Sequence, residues 1–122
     1  MERYKLKDFA KWALREEVSD AQLLKVISEM SRGLLGDRLG ACIYKKRIKI
    51  GGRGKRGGGR AIILFKTKDV ALFLYGYSKN EQDNISHNEE VQLRVFANEF
   101  MTLSLQERTR LKAQGKLISI ED

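Results

Sequence analysis

Apolar residues recur at helical spacing in two adjacent stretches near the beginning of the chain. The first stretch predicts a short amphipathic helix over residues 8–17, from the apolar positions Phe9, Trp12 and Ala13. Ser19 and Gln22 then have the spacing of a capping box, which predicts the start of a second helix. The apolar stripe of this helix comprises Leu23, Ile27, Met30 and Leu34. Gly33 and Gly36 are expected to end it. Two helices joined so closely predict an antiparallel hairpin, whose apolar side another layer must cover.

The central part of the chain has the patterns of β-strands. Residues 43–50 alternate, so that one face carries Tyr44, Lys46, Ile48 and Ile50 and the other carries Ile43, Lys45, Arg47 and Lys49. Residues 61–65 and 70–77 are β-branched and aromatic runs, and the polar connection over residues 66–69 has the length of a hairpin loop. These three segments predict an antiparallel meander with a ridge of cations on one face of its first strand.

Two further capping boxes predict two helices in the last third of the chain. Ser86 precedes a helix that ends near Thr102, with an apolar stripe of Leu93, Phe96, Ala97 and Phe100. Ser104 opens a shorter helix through Leu111, and Gly115 is expected just beyond its end. A final edge strand is predicted from Leu117, Ile118 and Ile120. The order of elements predicts one α+β domain of 122 residues, with its helices packed against one face of the sheet.

Composition limits the class of protein. A chain of 122 residues with 42% hydrophobic residues suits one compact domain. Apolar runs such as residues 61–65 are far too short for a membrane span, and residues 1–4 lead into a charged stretch unlike a signal peptide. We therefore expect a cytoplasmic protein with no membrane partner. Cys42 is the single cysteine and His87 the single histidine, so we expect no internal disulfide, no metal and no cofactor.

The positive charge is concentrated in one part of the chain. The formal net charge is +8, and residues 38–68 contain eleven basic residues and no acidic one. Soluble proteins usually mix the two signs over their surface, whereas a polyphosphate partner requires a concentrated basic region. The charge pattern therefore favours nucleic acid as the partner. A solvated basic surface and a docking surface for an acidic protein remain the alternatives.

A glycine-rich segment over residues 51–60 separates the first two predicted strands and contains six of the eleven glycines. Residues 52–57 satisfy the G-x-G-x-x-G pattern, but a strand rather than a helix follows, which excludes a dinucleotide site. A loop of glycines and cations can still bind phosphate. The side chains predicted to line one surface are Lys45, Arg47 and Lys49 on the first strand, Lys55, Arg56 and Arg60 around the loop, and Tyr77 and Lys79 at the end of the third strand. Such a surface suits single-stranded RNA or DNA, and a flexible loop kept soluble by its charge is the alternative.

Three strings of residues resemble the RelE/ParE superfamily of bacterial type II toxins, and the HigB-like branch within it is the closer match. They are YKKRI at residues 44–48, GKRGGGR at 54–60 and LYGYSKNE at 74–81. The resemblance covers roughly residues 4–103, and residues 104–122 are similar to a C-terminal extension of some members. It implies a RelE-like fold of the microbial RNase type, with an N-terminal helical hairpin packed on a small antiparallel sheet.

The same resemblance implies a function. Toxins of this type cleave mRNA, usually on the translating ribosome, without a metal, by letting the RNA 2′-hydroxyl attack the adjacent phosphate. A cognate antitoxin, often a helix-turn-helix protein that also binds operator DNA, holds them inactive. The implied catalytic residues are Arg60, Lys55, Arg56 and Lys79, and the implied RNA- or ribosome-binding residues are Lys45 and Arg47. We also predict RNA or ribosome binding by Lys46, Lys49, Arg53 and Tyr77.

Two departures from the family pattern leave the general acid and base unassigned. Many RelE-like members have an arginine where this chain has Asn80, and a tyrosine near Ser86. His87, otherwise expected as an exposed turn residue, is the nearest titratable candidate. Since ParE-like relatives share the fold but poison DNA gyrase, a gyrase poison remains an alternative, as does a non-catalytic RNA-binding module.

Overall fold

The structure, a computed structural model, describes residues 1–51 and 58–121. Within these residues four helices and a six-stranded sheet form an α+β fold. In chain order the elements are β1 (Glu2–Leu6), α1 (Lys7–Arg15), α2 (Asp20–Ser31), β2 (Asp37–Gly40), β3 (Ile43–Ile48), β4 (Gly59–Lys66), β5 (Val70–Ser78), α3 (His87–Met101), α4 (Leu105–Ala113) and β6 (Leu117–Ser119). The strand order across the sheet is β2-β3-β4-β5-β1-β6. No helix of the described residues is long and apolar enough to span a membrane.

The three predicted capping boxes are all confirmed. Ser19, Ser86 and Ser104 each accept a hydrogen bond from the backbone N–H three residues further on, and the side chain of that residue accepts one from the serine N–H. These caps satisfy amide groups that otherwise lack a partner at the start of α2, α3 and α4. Gly115 follows α4 with a positive φ of 75°, as predicted. The first predicted helix is present as α1, although it begins directly from β1 and ends at Arg15.

The predicted meander of β3, β4 and β5 is confirmed, and β6 is the predicted edge strand. The sheet is larger than the small antiparallel sheet expected from the sequence, because it also contains β1 and β2. Strand β1 lies between β5 and β6 and runs parallel to β5, which makes the sheet mixed. The sequence of β1, ERYKL, has charged residues on both sides of its single buried residue, Tyr4, so it carries no clear strand pattern.

Helices cover both faces of the sheet, so the expectation that they pack against one face is wrong. Helices α1 and α2 cover one face, here called the hairpin face, through residues such as Phe9 and Met30. Helices α3 and α4 cover the other, here called the α3 face, where Phe100 is buried. The reason lies in β4 and β5, in which residues 61–65 and 70–74 are all buried. Strands that are apolar at consecutive positions must be covered on both sides.

The segment after residue 103 completes the α3 face. Arg108 of α4 is 7% exposed and lies over the ring of Phe100, 4.7 Å from its centroid. The Arg108 guanidinium is also 3.3 Å from the Glu2 carboxylate of β1 and 4.0 Å from that of Asp69. This cluster connects α4 with β1 and with the turn between β4 and β5. The last helix is therefore fixed to the first strand by both charge and stacking.

Trp12 of α1 packs directly on the backbone of β5, and Gly76 permits this close approach. A Cβ atom at Gly76 would lie 2.3 Å from the Trp12 ring, which is itself buried. At Gly59, on the adjacent strand, a Cβ atom would lie 2.7 Å from Ile50 Cγ2. The glycines at this end of β4 and β5 thus let the helical hairpin sit close against the sheet.

We expect Gly76→Ala to lower the free energy of unfolding by about 1 to 3 kcal/mol, because the rigid indole ring cannot move away without disturbing the core. Chemical denaturation measures the change. Gly40→Ala is the matched control, since its Cβ would meet only the flexible Arg94 side chain at 3.4 Å. Equal stabilities of the two variants would contradict this account of the Trp12 packing.

Candidate nucleic-acid interface

The register of the meander places two arginines and a tyrosine side by side on the α3 face. Arg47 of β3 is paired with Arg60 of β4, and Arg60 is paired with Tyr77 of β5. Directly opposed residues on neighbouring strands have Cβ atoms about 5 Å apart. We call this set the Arg47–Arg60–Tyr77 row. It lies at the end of β4 from which the glycine-rich segment departs.

The two arginines of the row have the same sign of charge and are directly opposed. Arg47 is exposed and Arg60 is partly exposed, and Arg60 Nη1 donates a hydrogen bond to the Gly59 carbonyl oxygen at 3.0 Å. Like charges directly opposite one another in a sheet are destabilising. A phosphate group beside them would reverse this effect, since guanidinium groups bind phosphate oxygens with charge-assisted hydrogen bonds.

Lys45 adds a third cation beside the row. It lies two residues before Arg47 on β3 and therefore on the same face of the sheet. Its ammonium group lies 3.4 Å from Asn84 Oδ1 and 3.9 Å from a carboxylate oxygen of Asp37. Its side chain is 19% exposed. The ammonium is thus held between strand β2 and the segment that precedes α3.

Tyr77 is buried, so the structure does not offer its ring as a stacking platform for a base. Its residue exposure is 3%, and its ring belongs to the apolar cluster of the α3 face. Its hydroxyl group donates a hydrogen bond to Asn84 Oδ1 at 3.4 Å. Burial raises the pKa of the Tyr77 phenol, the Arg60 guanidinium lowers it, and the Asp37 carboxylate raises it further. The phenol is therefore protonated at neutral pH and acts as a hydrogen-bond donor.

Lys46 lies on the opposite face from the row, as strand alternation requires. Its ammonium group is 3.3 Å from the Glu29 carboxylate of α2 and 2.9 Å from the Leu34 carbonyl oxygen. Its side chain is 11% exposed. The structure therefore separates Lys46 from the other predicted binding residues and gives it a role in fixing the end of α2 to the sheet.

The other predicted site residues have different positions. Lys79 follows β5, where its backbone N–H donates to the Gly58 carbonyl oxygen at 3.0 Å and its ammonium group to the Asp83 carbonyl oxygen at 2.9 Å. Lys49 is exposed just after β3. His87 is the exposed first residue of α3, and its imidazole makes no hydrogen bond or ion pair with the described residues. The remaining predicted residues, Arg53, Lys55 and Arg56, lie outside the described residues.

Two residues that contact the predicted site were not found from the sequence. Asn84 accepts hydrogen bonds from both Lys45 and Tyr77, and Asp37 faces Lys45 from β2. Asn84 lies in a polar connection without a motif, and β2 itself was not predicted. Only the packing of this connection and of β2 beside the meander brings these residues to the site.

The chemistry offered by this surface is electrostatic. Arg47, Arg60 and Lys45 present positive charge on one face, with the Tyr77 hydroxyl as a neutral donor beneath it. Among residues 1–51 and 58–121, no group of three or more histidine, cysteine and carboxylate side chains is arranged to hold a metal ion. The surface can bind a phosphodiester and stabilise additional negative charge on it.

A comparison with protein-family models gives a match over nearly the entire chain. The matching model is described as the RelE toxin of the RelE/RelB toxin-antitoxin system, and it covers residues 1–120. The match does not distinguish the HigB-like branch from the rest of the family. A search of curated proteins gives no match. Together with the α+β fold, the family match shows that this chain belongs to the RelE family of toxins from toxin-antitoxin systems and has a cognate antitoxin as its partner.

Proposed function

We propose that the protein is a metal-independent endoribonuclease that cleaves mRNA on the translating ribosome. The observation that carries this proposal is the directly opposed pair of Arg47 and Arg60 on an accessible sheet surface in a member of the RelE family. A gyrase poison does not need two guanidinium groups side by side, whereas a phosphodiester in the act of cleavage gains negative charge that such a pair can stabilise.

In the proposed reaction the 2′-hydroxyl oxygen of one nucleotide attacks the adjacent phosphorus. A new P–O2′ bond forms as the P–O5′ bond breaks, which yields a 2′,3′-cyclic phosphate and a free 5′-hydroxyl group. The 2′-hydroxyl proton is lost and the leaving 5′ oxygen gains a proton, so no water is consumed. Arg60 faces the scissile phosphate, while Arg47 and Lys45 hold the RNA backbone. Arg60 stabilises the negative charge that develops on the non-bridging phosphate oxygens in the transition state.

The remaining predicted residues extend this assignment. Lys79 lies beside Gly58, where the glycine-rich segment meets β4, and acts there as a phosphate clamp or proton donor. Lys55 and Arg56 provide further cations of the catalytic loop, and Lys49 and Arg53 contact RNA. His87 remains the candidate acid or base, because it is accessible at the start of α3.

The proposed partners follow from the charge of the chain. A net charge of +8 suits polyanionic partners such as the ribosome and mRNA, and we propose that the protein acts on them in the cytoplasm. The cognate antitoxin is proposed to be a helix-turn-helix protein that also binds operator DNA. The substrate is RNA and not DNA, because the 2′-hydroxyl group is the nucleophile, and mRNA on the ribosome offers it in a single strand.

We expect Arg60→Ala to abolish mRNA cleavage in cells, with a loss of at least about a hundredfold, because a transition-state contact is removed. Inducible expression followed by mapping of mRNA 5′ ends measures cleavage. Lys66→Ala is the matched control, since it removes one exposed cation from the same strand about 20 Å away. New 5′ ends at codon-related positions should appear with the wild type and with Lys66→Ala.

Two results of the same experiment would contradict the proposal. Growth arrest with intact mRNA and with DNA damage would identify a gyrase poison instead. Growth arrest that Arg60→Ala leaves unchanged would show that the row does not carry the activity.

The neighbouring residues Arg47 and Lys46 allow a second test, because they point to opposite faces of β3. We expect Arg47→Ala to make the slope of log K against log salt concentration shallower by about 0.7, where K is the association constant for single-stranded RNA. This is the slope that one phosphate contact contributes to single-strand binding. Lys46→Ala should leave this slope unchanged and lower the free energy of unfolding, because it breaks the contact with Glu29. Fluorescence anisotropy and thermal denaturation measure the two quantities. Equal slopes for both variants would show that the face of β3 does not determine RNA binding.

A further inference from the structure

Three hydrogen-bond donors converge on one oxygen atom at the edge of the Arg47–Arg60–Tyr77 row. Asn84 Oδ1 lies 3.4 Å from the Lys45 ammonium group, 3.4 Å from the Tyr77 hydroxyl group and 2.9 Å from the backbone N–H of Ile85. The donors come from β3, from β5 and from the connection that leads to α3. A carboxamide oxygen normally accepts two hydrogen bonds, so the three donors occupy all of the hydrogen-bonding capacity of this atom.

Side-chain hydrogen bonds hold the connection between β5 and α3, which includes Asn84, in place. The Gln82 amide donates to the Asn84 carbonyl oxygen at 3.0 Å, and the Tyr75 hydroxyl donates to the Gln82 side-chain oxygen at 3.4 Å. Lys79 donates to the Asp83 carbonyl oxygen at 2.9 Å. The connection ends at the capping serine of α3, Ser86. Asn84 is thus presented to the row from a fixed segment between β5 and α3.

Lys45 has two acceptors within reach, and they differ in charge. Asn84 Oδ1 is neutral and lies at 3.4 Å, whereas the Asp37 carboxylate lies at 3.9 Å. A neutral acceptor fixes the ammonium group without cancelling its charge. Lys45 and Asp37 already form an ion pair at 3.9 Å, but the Asp37 side chain is 77% exposed, so solvent weakens this attraction. Without Asn84, the ammonium would be free to approach the carboxylate more closely, and more of its positive charge would be offset on the β2 side of the sheet.

We propose that Asn84 is a positioning residue that holds the Lys45 ammonium beside Arg47 and Arg60 and keeps its charge available to the RNA phosphate. The effect on the cleavage rate rests on the proposed function, whereas the effect on RNA binding is a separate claim that can be tested without cleavage. Asn84 acts through Lys45 and does not itself need to touch the reacting atoms. It fixes the Tyr77 hydroxyl by the same oxygen atom.

A double-mutant cycle tests whether Asn84 acts through Lys45. Single-turnover cleavage of mRNA in a reconstituted translation system gives the rate. We expect Asn84→Ala to lower the rate by about ten- to a hundredfold in the wild-type background, because a misplaced group loses that much. In the Lys45→Ala background the same substitution should lower it by less than about twofold, since the group that it positions is absent. The same loss in both backgrounds would overturn the proposal, because a general structural effect does not depend on Lys45.

The charge of the acceptor gives a second test that does not require cleavage. Asn84→Asp keeps an oxygen acceptor for all three donors but adds a carboxylate beside Lys45. We expect it to reduce the salt slope of single-stranded RNA binding by about 0.7, whereas Asn98→Ala, an exposed substitution on α3, should leave it unchanged. A slope for Asn84→Asp equal to that of the wild type would overturn the claim that the neutral amide preserves the charge of Lys45.

The two tests separate a failure of this inference from a failure of the proposed function. If Arg60→Ala abolishes cleavage while Asn84→Ala cleaves at the wild-type rate, the proposed function stands and the role of Asn84 is wrong. If the wild type does not cleave RNA, the proposed function fails, and the salt slopes alone decide whether Asn84 controls the charge of Lys45. Thermal denaturation of each variant checks whether the fold is retained. We expect that it is for the Asn84 variants, because Asn84 is exposed.

Discussion

The burial of β4 and β5 on both faces is the constraint on which the rest of this structure depends. Residues 61–65 and 70–74 are buried in succession, so α1 and α2 must cover one face while α3 and α4 cover the other. At the end where β4 begins, Arg47 is exposed and Arg60 is partly exposed on the α3 face. The core therefore supplies the rigidity that holds two like charges side by side, an arrangement that the two strands alone would not favour.

Much of the fold could be predicted from the sequence, because the strongest local signals agree with the global structure. The capping boxes at Ser19, Ser86 and Ser104 place three helix starts at the correct residue, and the apolar runs place β4 and β5. Strands β1 and β2 were not predicted because they are short and carry charged residues at half or more of their positions. The pairing of β1 is determined by backbone hydrogen bonds to strands that are distant in the sequence, which a local pattern does not report. Strand β2 pairs with the adjacent β3, but with a shift of register between Arg38 and Gly40.

The candidate site was predictable only in part, for a related reason. The alternation of residues 43–50 correctly separates Lys45 and Arg47 from Lys46, since strand geometry fixes which face each side chain occupies. The pairing of Arg47 with Arg60 depends on the register across the glycine-rich segment, and no turn motif there specifies it. The contact between Lys45 and Asn84 spans 39 residues and depends on how the connection before α3 folds back on the sheet.

The two lysines of β3, Lys45 and Lys46, lie on opposite faces of the strand and have different partners. Lys46 lies close to a carboxylate, Glu29, at 3.3 Å, and the charge is neutralised where the helical hairpin meets the sheet. Lys45 lies 3.4 Å from a neutral amide and 3.9 Å from the Asp37 carboxylate, and the Asp37 side chain is 77% exposed, so solvent weakens this ion pair more than the one between Lys46 and Glu29. A basic residue that serves packing needs its charge cancelled, whereas one that serves an anionic ligand must keep it. In the proposed function, the partner of each cation, more than its exposure, therefore distinguishes the packing role of Lys46 from the phosphate-binding role of Lys45.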